Sequence, residues 1–517
     1  MPDLLRGPDP SPRQTDPVWG KGRVVMQLRA VTTFLAQTLG FSAISDGLAL
    51  VETAGYARLL LAGRGDNQLV ALDLGVQAPL SSHPGDPVIG AGSGPAIAVQ
   101  NTATAPRVYA FSAYSDPPRH AALTQAGLPG VSAPVAPNTG AIPGVVAMEV
   151  LEFASGDITA IARRGVPGVT LYALGDTGAM TQIGQINDGP KAYLAGISDI
   201  ASVQMGADRL VLVASALENG ISCYRVTASG AVEWIDSLGA QNGLAVNGLA
   251  QMQTITMGGQ TFAVLASTLT SSLSVVRVNP MGVMFVTDHL VDDRSTRFAD
   301  VAVIEMFVAR GRAFVVAGGT DAGLTVFEFL PGGRLMPFAS YPLESGAGMA
   351  AVTGIEARVM ADKVVVFILD ARGDRLQQFE LSLATLGTRI DALGGLATGT
   401  PLDDRLLGAA GADTLQGGGG SDWLHDGGGQ DMLTGGAGAD VFVFDRDAAV
   451  DRISDFEDGI DRIDVSDWGR IYSRDALVIT ATATGAEINY GAERLIIASA
   501  GGGSLASTSF TDADFVF

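Results

Sequence analysis

Short apolar segments rich in Val, Leu and Ala run along most of the chain, interrupted about every eight to twelve residues by Gly, Asp, Asn or Ser. This spacing is typical of β-strands joined by tight turns. Seven of the segments recur at near-constant distance and end at Gly63, Ala113, Arg163, Ser215, Ser267, Gly318 and Leu369, at intervals of 50, 50, 52, 52, 51 and 51 residues. The pattern predicts an all-β chain that contains seven copies of one structural unit.

Each unit contains several strands, because an alternating segment such as SLSVVRV follows most copies and another such as ISDIASVQM precedes them. A repeat of about fifty residues with several short strands is what one propeller blade requires, since each small sheet buries both faces against its neighbours. We therefore predict a seven-bladed β-propeller over residues 22–395. We expect RVVMQLRAV at residues 23–31 to close the ring by pairing near LQQFELSL in the last unit. A pair of β-sandwiches or a β-helix is the alternative.

The N-terminal residues 1–21 are rich in proline and polar side chains, and we predict that they are disordered. They contain no apolar run of the kind that a cleaved signal peptide carries. No stretch of the chain is long and apolar enough for a transmembrane helix. Export by the usual N-terminal route is therefore not expected.

Five consecutive nonapeptides follow the predicted propeller: GTPLDDRLL, GAAGADTLQ, GGGGSDWLH, DGGGQDMLT and GGAGADVFV. Asp occupies the sixth position of each, and a large apolar residue occupies the eighth. A short strand with one inward side chain in every nine residues predicts a parallel β-roll in which two nonapeptides make one turn. Asp residues eighteen apart are then one strand spacing apart, about 4.8 Å. We assign residues 396–445 to this roll and residues 446–517 to a cap and a C-terminal segment.

The repeated carboxylates and glycines predict a calcium site, because carboxylate and backbone carbonyl oxygens are the ligands that Ca²⁺ prefers. The expected metal ligands are Asp404, Asp413, Asp422, Asp431 and Asp440, with Gly417, Gly419 and Gly435 exposing backbone carbonyls. Two or three ions are expected. Leu402, Ala409 and Asp426 stand where glycines are expected, so the site that uses Asp404 departs furthest from the pattern. We interpret Asp451, Asp455, Asp458 and Asp461 as turn or cap residues, with a further calcium ligand as the alternative.

The nonapeptides resemble those of the RTX, or hemolysin-type, calcium-binding exoproteins, and residues 417–425 and 435–443 match the pattern G-G-x-G-x-D-x-U-x best. The segment VFVFDRDAAVDRISDFEDGIDRIDVSDW is similar to the one that follows the β-roll in serralysin-type metalloproteases. The terminal DADFVF is similar to the signal of proteins exported by type I ABC secretion systems. The resemblance covers residues 399–517, and it implies an extracellular protein that calcium folds after export.

The charge distribution agrees with cations as partners. The formal net charge is −22, and residues 398–517 hold 21 acidic and 7 basic side chains, so −14 of it lies there. Nucleic acids and anionic membranes require a basic face, so neither is an expected partner. The single cysteine, Cys223, excludes an intramolecular disulfide framework and lies in an alternating strand, where we interpret it as a packed thiol.

The propeller shows no established catalytic motif, since the sequence contains neither HExxH nor G-x-S-x-G. Asp46, Asp199 and Asp300 each precede a predicted innermost strand and are candidate ligands at the rim of the channel, with a turn-capping role as the alternative. The expected function is a secreted binding or adhesion module for an extracellular protein or glycan. A propeller-type hydrolase or lactonase, and a self-assembling surface-layer protein, are the alternatives, so the sequence leaves enzymatic activity undecided.

Overall fold

The computed structural model describes residues 28–39, 44–63, 69–75, 78–80, 96–101, 105–113, 118–131, 133–135, 137–138, 140–175, 177–343 and 351–517. The predicted disordered segment 1–21 lies outside these residues. The chain forms two compact units, and the propeller unit spans Gln27–Leu383. The other unit includes Ala384–Phe517.

The propeller unit is built from short antiparallel strands. Its first half contains β1 (Leu28–Leu35), β2 (Ile44–Glu52), β3 (Ala57–Gly63), β4 (Leu69–Asp73), β5 (Ala78–Leu80), β6 (Ala96–Gln100), β7 (Arg107–Phe111), β8 (Arg119–Ala122), β9 (Ala133–Pro134), β10 (Val145–Leu151), β11 (Ile158–Arg163), β12 (Val166–Leu174) and β13 (Met180–Ile186). Its second half contains β14 (Ile197–Met205), β15 (Asp208–Ser215), β16 (Gly220–Val226), β17 (Val232–Leu238), β18 (Leu249–Met257), β19 (Gln260–Ser267), β20 (Ser272–Val278), β21 (Met284–Val291), β22 (Val303–Ala309), β23 (Arg312–Gly318), β24 (Gly323–Leu330), β25 (Arg334–Pro342), β26 (Val352–Val359), β27 (Lys363–Asp370) and β28 (Arg375–Ser382). Short 3-10 helices cover Ala36–Leu39 and Ala240–Asn242.

In the described part of the chain these strands form seven four-stranded sheets, which confirms the predicted seven-bladed propeller. Six sheets are sequential meanders, β2–β5, β6–β9, β10–β13, β14–β17, β18–β21 and β22–β25. The seventh has the order β1-β28-β27-β26, so the N-terminal strand closes the ring. β1 pairs antiparallel with β28 over Leu28–Leu35, as expected, and residues 23–27 of the predicted strand lie outside the described residues. The strands β2, β6, β10, β14, β18, β22 and β26 neighbour one another in turn and line the channel.

The repeated apolar segments are the second strands of the blades, for example β15, β19 and β23. Almost every side chain of these strands is buried, because both faces of each sheet pack against the adjacent blades. The apolar side chains consequently form a series of clusters between successive blades, such as the one around Leu212, Cys223 and Leu265. Burial in this cluster raises the pKa of the Cys223 thiol to about 12, so it is the packed thiol that the sequence predicts.

The C-terminal unit contains two mainly parallel sheets. Its strands are β29 (Leu386–Asp391), β30 (Gly395–Thr398), β31 (Asp403–Leu407), β32 (Asp413–Gly419), β33 (Trp423–His425), β34 (Met432–Ala437), β35 (Val441–Val443), β36 (Val450–Phe456), β37 (Arg462–Asp464), β38 (Val478–Ala481), β39 (Gly485–Tyr490), β40 (Glu493–Ser499) and β41 (Phe515–Val516). Short 3-10 helices cover Ser466–Trp468, Arg474–Ala476 and Asp512–Asp514. One sheet has the order β29-β31-β33-β35-β37-β41, and the other has the order β30-β32-β34-β36-β40-β39-β38. This is the predicted parallel β-roll.

Strand register follows the nonapeptides. Leu406 pairs with Leu424, and Leu424 with Phe442, so each turn of the roll takes eighteen residues. Leu415 and Leu433 form the corresponding column in the other sheet. These five side chains are fully buried in one core, which explains why the eighth position of every repeat is large and apolar.

The roll is longer at both ends than the predicted residues 396–445. It begins with β29, which pairs in parallel with β31, so the compact unit starts at Ala384. It continues beyond residue 445, because β36 and β37 extend the two sheets and β41 pairs with β37. The terminal Phe515 is buried in the same core. The roll thus continues by backbone pairing of strands beyond the segment in which the nine-residue repeat can be recognised.

Candidate metal centre

The predicted calcium ligands form two rows along the roll. In one row the backbone N–H of Asp404 donates to Oδ1 of Asp422 at 2.8 Å, and that of Asp422 donates to Oδ1 of Asp440 at 2.8 Å. In the other row the N–H of Asp413 donates to Oδ1 of Asp431 at 2.7 Å. All five side chains are buried. The eighteen-residue spacing therefore brings together the Asp pairs that the sequence predicts.

The second carboxylate oxygens divide these residues into two kinds. Oδ2 of Asp422, Asp431 and Asp440 is buried without a hydrogen-bond partner. Oδ2 of Asp404 instead accepts a hydrogen bond from Thr400 Oγ1 at 2.8 Å, and Oδ2 of Asp413 accepts one from the N–H of Ala409 at 2.7 Å. Buried polar atoms are almost always paired, so three orphaned carboxylate oxygens call for a partner such as a cation.

The missing partner fits calcium by its chemistry. The orphaned donors are hard carboxylate oxygens, and backbone carbonyls lie beside them, since the space next to Gly417 contains both Asp422 Oδ2 and the carbonyl oxygen of Gly435. Calcium accepts six to eight such oxygens in flexible geometry. Asp422, Asp431 and Asp440 are thus the residues that would hold calcium, which would supply the positive charge that the buried carboxylates lack.

Two of the predicted glycines are required by this arrangement. A Cβ at Gly417 would lie 2.2 Å from Oδ2 of Asp422, and one at Gly435 would lie 2.2 Å from Oδ2 of Asp440. Any other residue at either position would displace a carboxylate. Gly419 differs, because a Cβ there would meet its nearest neighbour, Pro401, at an ordinary 3.7 Å.

Without a cation, these carboxylates are difficult to ionise. Burial first, and then the charges of neighbouring carboxylates, raise the pKa of Asp422 to about 8, of Asp440 to about 7 and of Asp431 to about 6. A bound cation would reverse this effect, since it favours the ionised form. Ionisation of these carboxyl groups in both rows is therefore unfavourable at neutral pH unless a cation is bound.

The rows of Asp residues extend beyond the nonapeptides. The N–H of Asp440 donates to Oδ1 of Asp461 at 2.9 Å, and that of Asp431 donates to Oδ1 of Asp451 at 3.0 Å. Asp455 lies in strand β36, not in a turn, and its carboxylate accepts the N–H groups of Gly435 at 3.0 Å and Gly436 at 2.8 Å. Sequence spacing did not show this continuation, because the offset grows from eighteen residues to 20 or 21. The only sequence signal for the continuation was that acidic residues recur in the segment after the nonapeptides.

The candidate channel residues have different surroundings. Asp199 lies in the innermost strand β14, where Oδ2 accepts the N–H of Met252 from the next blade at 2.7 Å and Oδ1 accepts the N–H of Ile200 at 2.9 Å. Asp300 is exposed in a turn with φ of 48° and accepts a hydrogen bond from Thr320 at 2.9 Å. Asp46 lies in β2, but its side chain is outside the described part. The hydrogen bonds of Asp199 join two blades, and that of Asp300 lies in a turn.

Comparison with known proteins identifies the C-terminal repeats. A family model for the RTX calcium-binding nonapeptide repeat matches four copies, within residues 398–425 and 407–442. This part of the chain therefore consists of RTX calcium-binding repeats, as the sequence predicts. No curated protein matches the chain. Among solved structures, the crystal structure of a protein from Lactobacillus plantarum is similar with a TM-score of 0.41 and 14% identity, covering 65% of this chain and 95% of that chain.

In the part of the chain that the structure describes, no helix has the length and apolar character needed to cross a membrane.

Proposed function

We propose that this chain is a secreted protein in which calcium folds the RTX roll and the propeller binds an extracellular protein or glycan. The observation that carries the calcium part is the set of buried, unpartnered carboxylate oxygens on Asp422, Asp431 and Asp440. Leaving such atoms unpaired costs about 1–3 kcal/mol each, and more when they are charged. Cation binding supplies the compensation and couples folding to calcium concentration.

Calcium-dependent folding suits export through a type I ABC exporter. A chain at low cytosolic calcium keeps its acidic repeats unfolded, because the carboxylates repel one another, and an unfolded chain passes a narrow channel. Millimolar calcium outside the cell then stabilises the roll. The net charge of −14 in residues 398–517, from 21 acidic and 7 basic side chains, supports this proposal.

The surroundings of the two described channel candidates support a binding role for the propeller. Asp199 and Asp300 use their oxygens in hydrogen bonds that join blades or close turns. Side chains used in this way hold the scaffold together, and the surface of a propeller is then available for recognition. We propose two or three calcium ions in the roll.

Calcium titration tests the first part of the proposal. Bound metal is removed from the full chain with a chelator. The chain is then titrated with Ca²⁺, and with Mg²⁺ as the control. Binding is followed by isothermal titration calorimetry and the structural change by near-ultraviolet circular dichroism. We expect saturable binding of two or three Ca²⁺ ions with a cooperative structural change, and little response to Mg²⁺. A chain that binds no calcium would contradict the proposal.

The second part is tested by binding and export. A glycan array is probed with the calcium-loaded full chain, and denatured chain serves as the control for adhesion of unfolded protein. Export is tested in a host with a type I exporter, by comparing the medium with the cell fraction for wild type and for a variant lacking residues 446–517. If the chain binds no glycan and no protein ligand, the proposed binding role is wrong. If export does not depend on residues 446–517, the proposed secretion signal is wrong.

A further inference from the structure

Asp426 occupies the first position of its nonapeptide, where the other four repeats have glycine. At Gly417 and Gly435 a Cβ would lie 2.2 Å from the carboxylate at the sixth position of the same repeat. The first position therefore lies directly beside the Asp of its own repeat. In the fourth repeat this proximity places a second carboxylate next to Asp431.

Asp451 from the next turn of the roll completes a group of three. The carboxylates of Asp426, Asp431 and Asp451 each offer one oxygen, and these oxygens lie within 4.8 Å of one another. Two oxygens bound to one calcium ion at 2.3–2.6 Å are at most about 5 Å apart. The spacing therefore allows all three carboxylates to bind a single ion.

The hydrogen bonds of this group leave oxygens free for such an ion. Oδ1 of Asp426 accepts the N–H of Asp445 at 2.9 Å, and Oδ1 of Asp431 accepts the N–H of Asp413. Oδ2 of both Asp426 and Asp431 is buried without a partner, and the two side chains are 1% and 2% exposed. Three buried carboxylates without a counter-charge are unfavourable, so their arrangement points to a bound cation.

Basic side chains do not supply that charge. All of residues 351–517 are described, and their ion pairs involve other carboxylates, such as Asp391, Glu487 and Glu493. The nearby His425 donates a hydrogen bond from Nε2 to Oδ1 of Asp445 at 2.7 Å, so this ring nitrogen is not a metal ligand. The ligands that remain are all oxygens, which favours a hard ion over a transition metal.

The chain around this group differs from the regular roll. Met432 pairs with Arg452, so this turn takes 20 residues instead of eighteen. Ala448, with φ of 62°, lies in the added turn. His425 still pairs with Val443, so the two added residues fall between Val443 and Arg452, in the segment that follows the one stacked on His425 and precedes the one stacked on Met432.

We propose that Asp426, Asp431 and Asp451 form a calcium site of three carboxylates, outside the regular nonapeptide pattern, that binds its ion more tightly than the Asp422–Asp440 pair. The proposal rests on the calcium-binding function of the roll proposed above. Its physical basis is charge, because calcium affinity rises with the number of carboxylate ligands.

The test is isothermal titration of the stripped full chain with CaCl₂, for wild type, Asp426→Asn and Asp426→Gly. The Asn variant keeps the shape of the side chain, and the Gly variant restores the residue that the other repeats carry, so both are compatible with the fold. Asp475→Asn is the matched control, because it removes one negative charge from an 82% exposed side chain of the same unit. Circular dichroism at saturating calcium establishes that each variant is folded.

We expect the tightest ion to be weakened by roughly ten-fold or more in both Asp426 variants, with the remaining ions and the control unchanged. Calcium isotherms identical to wild type in both variants would overturn the three-carboxylate site and leave calcium binding by the roll intact. A wild-type chain that binds no calcium would overturn both proposals.

Discussion

The propeller and the roll use the same side chain in opposite ways. In the propeller, Asp199, Asp236 and Asp288 accept backbone hydrogen bonds on both oxygens, one from the following residue and one from the next blade. In the roll, Asp422 and Asp440 accept one backbone hydrogen bond on Oδ1, and Oδ2 is left buried and unpaired. The first arrangement is complete without a ligand, and the second is not.

The apolar cores differ in a corresponding way. Successive blades bury separate clusters between their sheets, whereas the two sheets of the roll share one core, to which strands as short as Trp423–His425 contribute. Short strands joined by glycine-rich turns lose much chain entropy on folding, and the buried, unpaired carboxylate oxygens of the roll add a further cost. We therefore expect the propeller to be stable through packing alone and the roll to require calcium.

The largest expected effect on calcium binding separates the two kinds of Asp within the roll. Asp422→Asn keeps an oxygen for the N–H of Asp404 but removes the charge of the orphaned Oδ2. We expect its calcium midpoint to rise by roughly ten-fold or more. Asp404→Asn is the matched control with an expected change of only a few fold, because Oδ2 of Asp404 already accepts from Thr400. The midpoints are measured by circular dichroism, and equal midpoints would show that the orphaned oxygen has no special role.

The next effect tests the core of the roll. Leu424→Ala removes a fully buried side chain from the column and is expected to destabilise the calcium-loaded roll by about 3 kcal/mol. Met432→Ala is the control, because Met432 lies in β34, the next strand along the chain, and is 42% exposed. Its substitution is expected to lower the free energy of unfolding by less than about 1 kcal/mol. Urea unfolding followed by fluorescence gives both values. An equal cost in the two variants would contradict the described core.

The third effect concerns the propeller. Asp199→Ala leaves the N–H groups of Met252 and Ile200 without their acceptor and is expected to cost about 1–3 kcal/mol of propeller stability. Asp300→Asn, in an exposed turn, is expected to change it by less than about 0.5 kcal/mol. Thermal unfolding in a chelator measures both. A shift of the calcium midpoint in either variant would contradict the separation of the two regions.

The last prediction is the pH dependence that the same residue gives to stability. Burial raises the pKa of Asp199 to about 7 in the folded chain, above its value of about 4 when unfolded. The folded state therefore holds more protons between these values, and this contribution to stability is complete below pH 4 and is lost as the pH rises towards 7. Asp199→Asn is expected to remove that slope. Parallel unfolding midpoints of variant and wild type between pH 4 and 8 would contradict the shifted pKa.

The architecture was predictable because both regions repeat. Seven apolar strands at intervals of 50 to 52 residues correspond to seven blades, and Asp at every ninth residue corresponds to two rows of carboxylates. The limits of the roll were not predictable, because β29 and β37 join its sheets by backbone pairing and carry no repeat signature. The nonapeptide pattern marks ligand positions and does not mark where strand pairing ends.

The detail of the metal centre also depends on three-dimensional contacts. The sequence marks the site of Asp404 as the one furthest from the repeat pattern, and the hydrogen bond from Thr400 supplies the physical difference from Asp422. From the sequence, Asp426 is only a departure from the glycine pattern. In the structure its carboxylate lies beside those of Asp431 and Asp451. The sequence predicts Asp199 as a candidate channel ligand. Its two backbone hydrogen-bond partners could be identified only from the structure.

Hydrogen–deuterium exchange of the full chain, with calcium and with excess chelator, tests the central claim most directly. Peptides from residues 386–517 report on the roll, and peptides from residues 145–343 report on the propeller. We predict that removing calcium abolishes protection of the roll amides and leaves protection of the propeller amides unchanged. Roll amides that stay protected in chelator would contradict the account, and so would loss of protection in both regions.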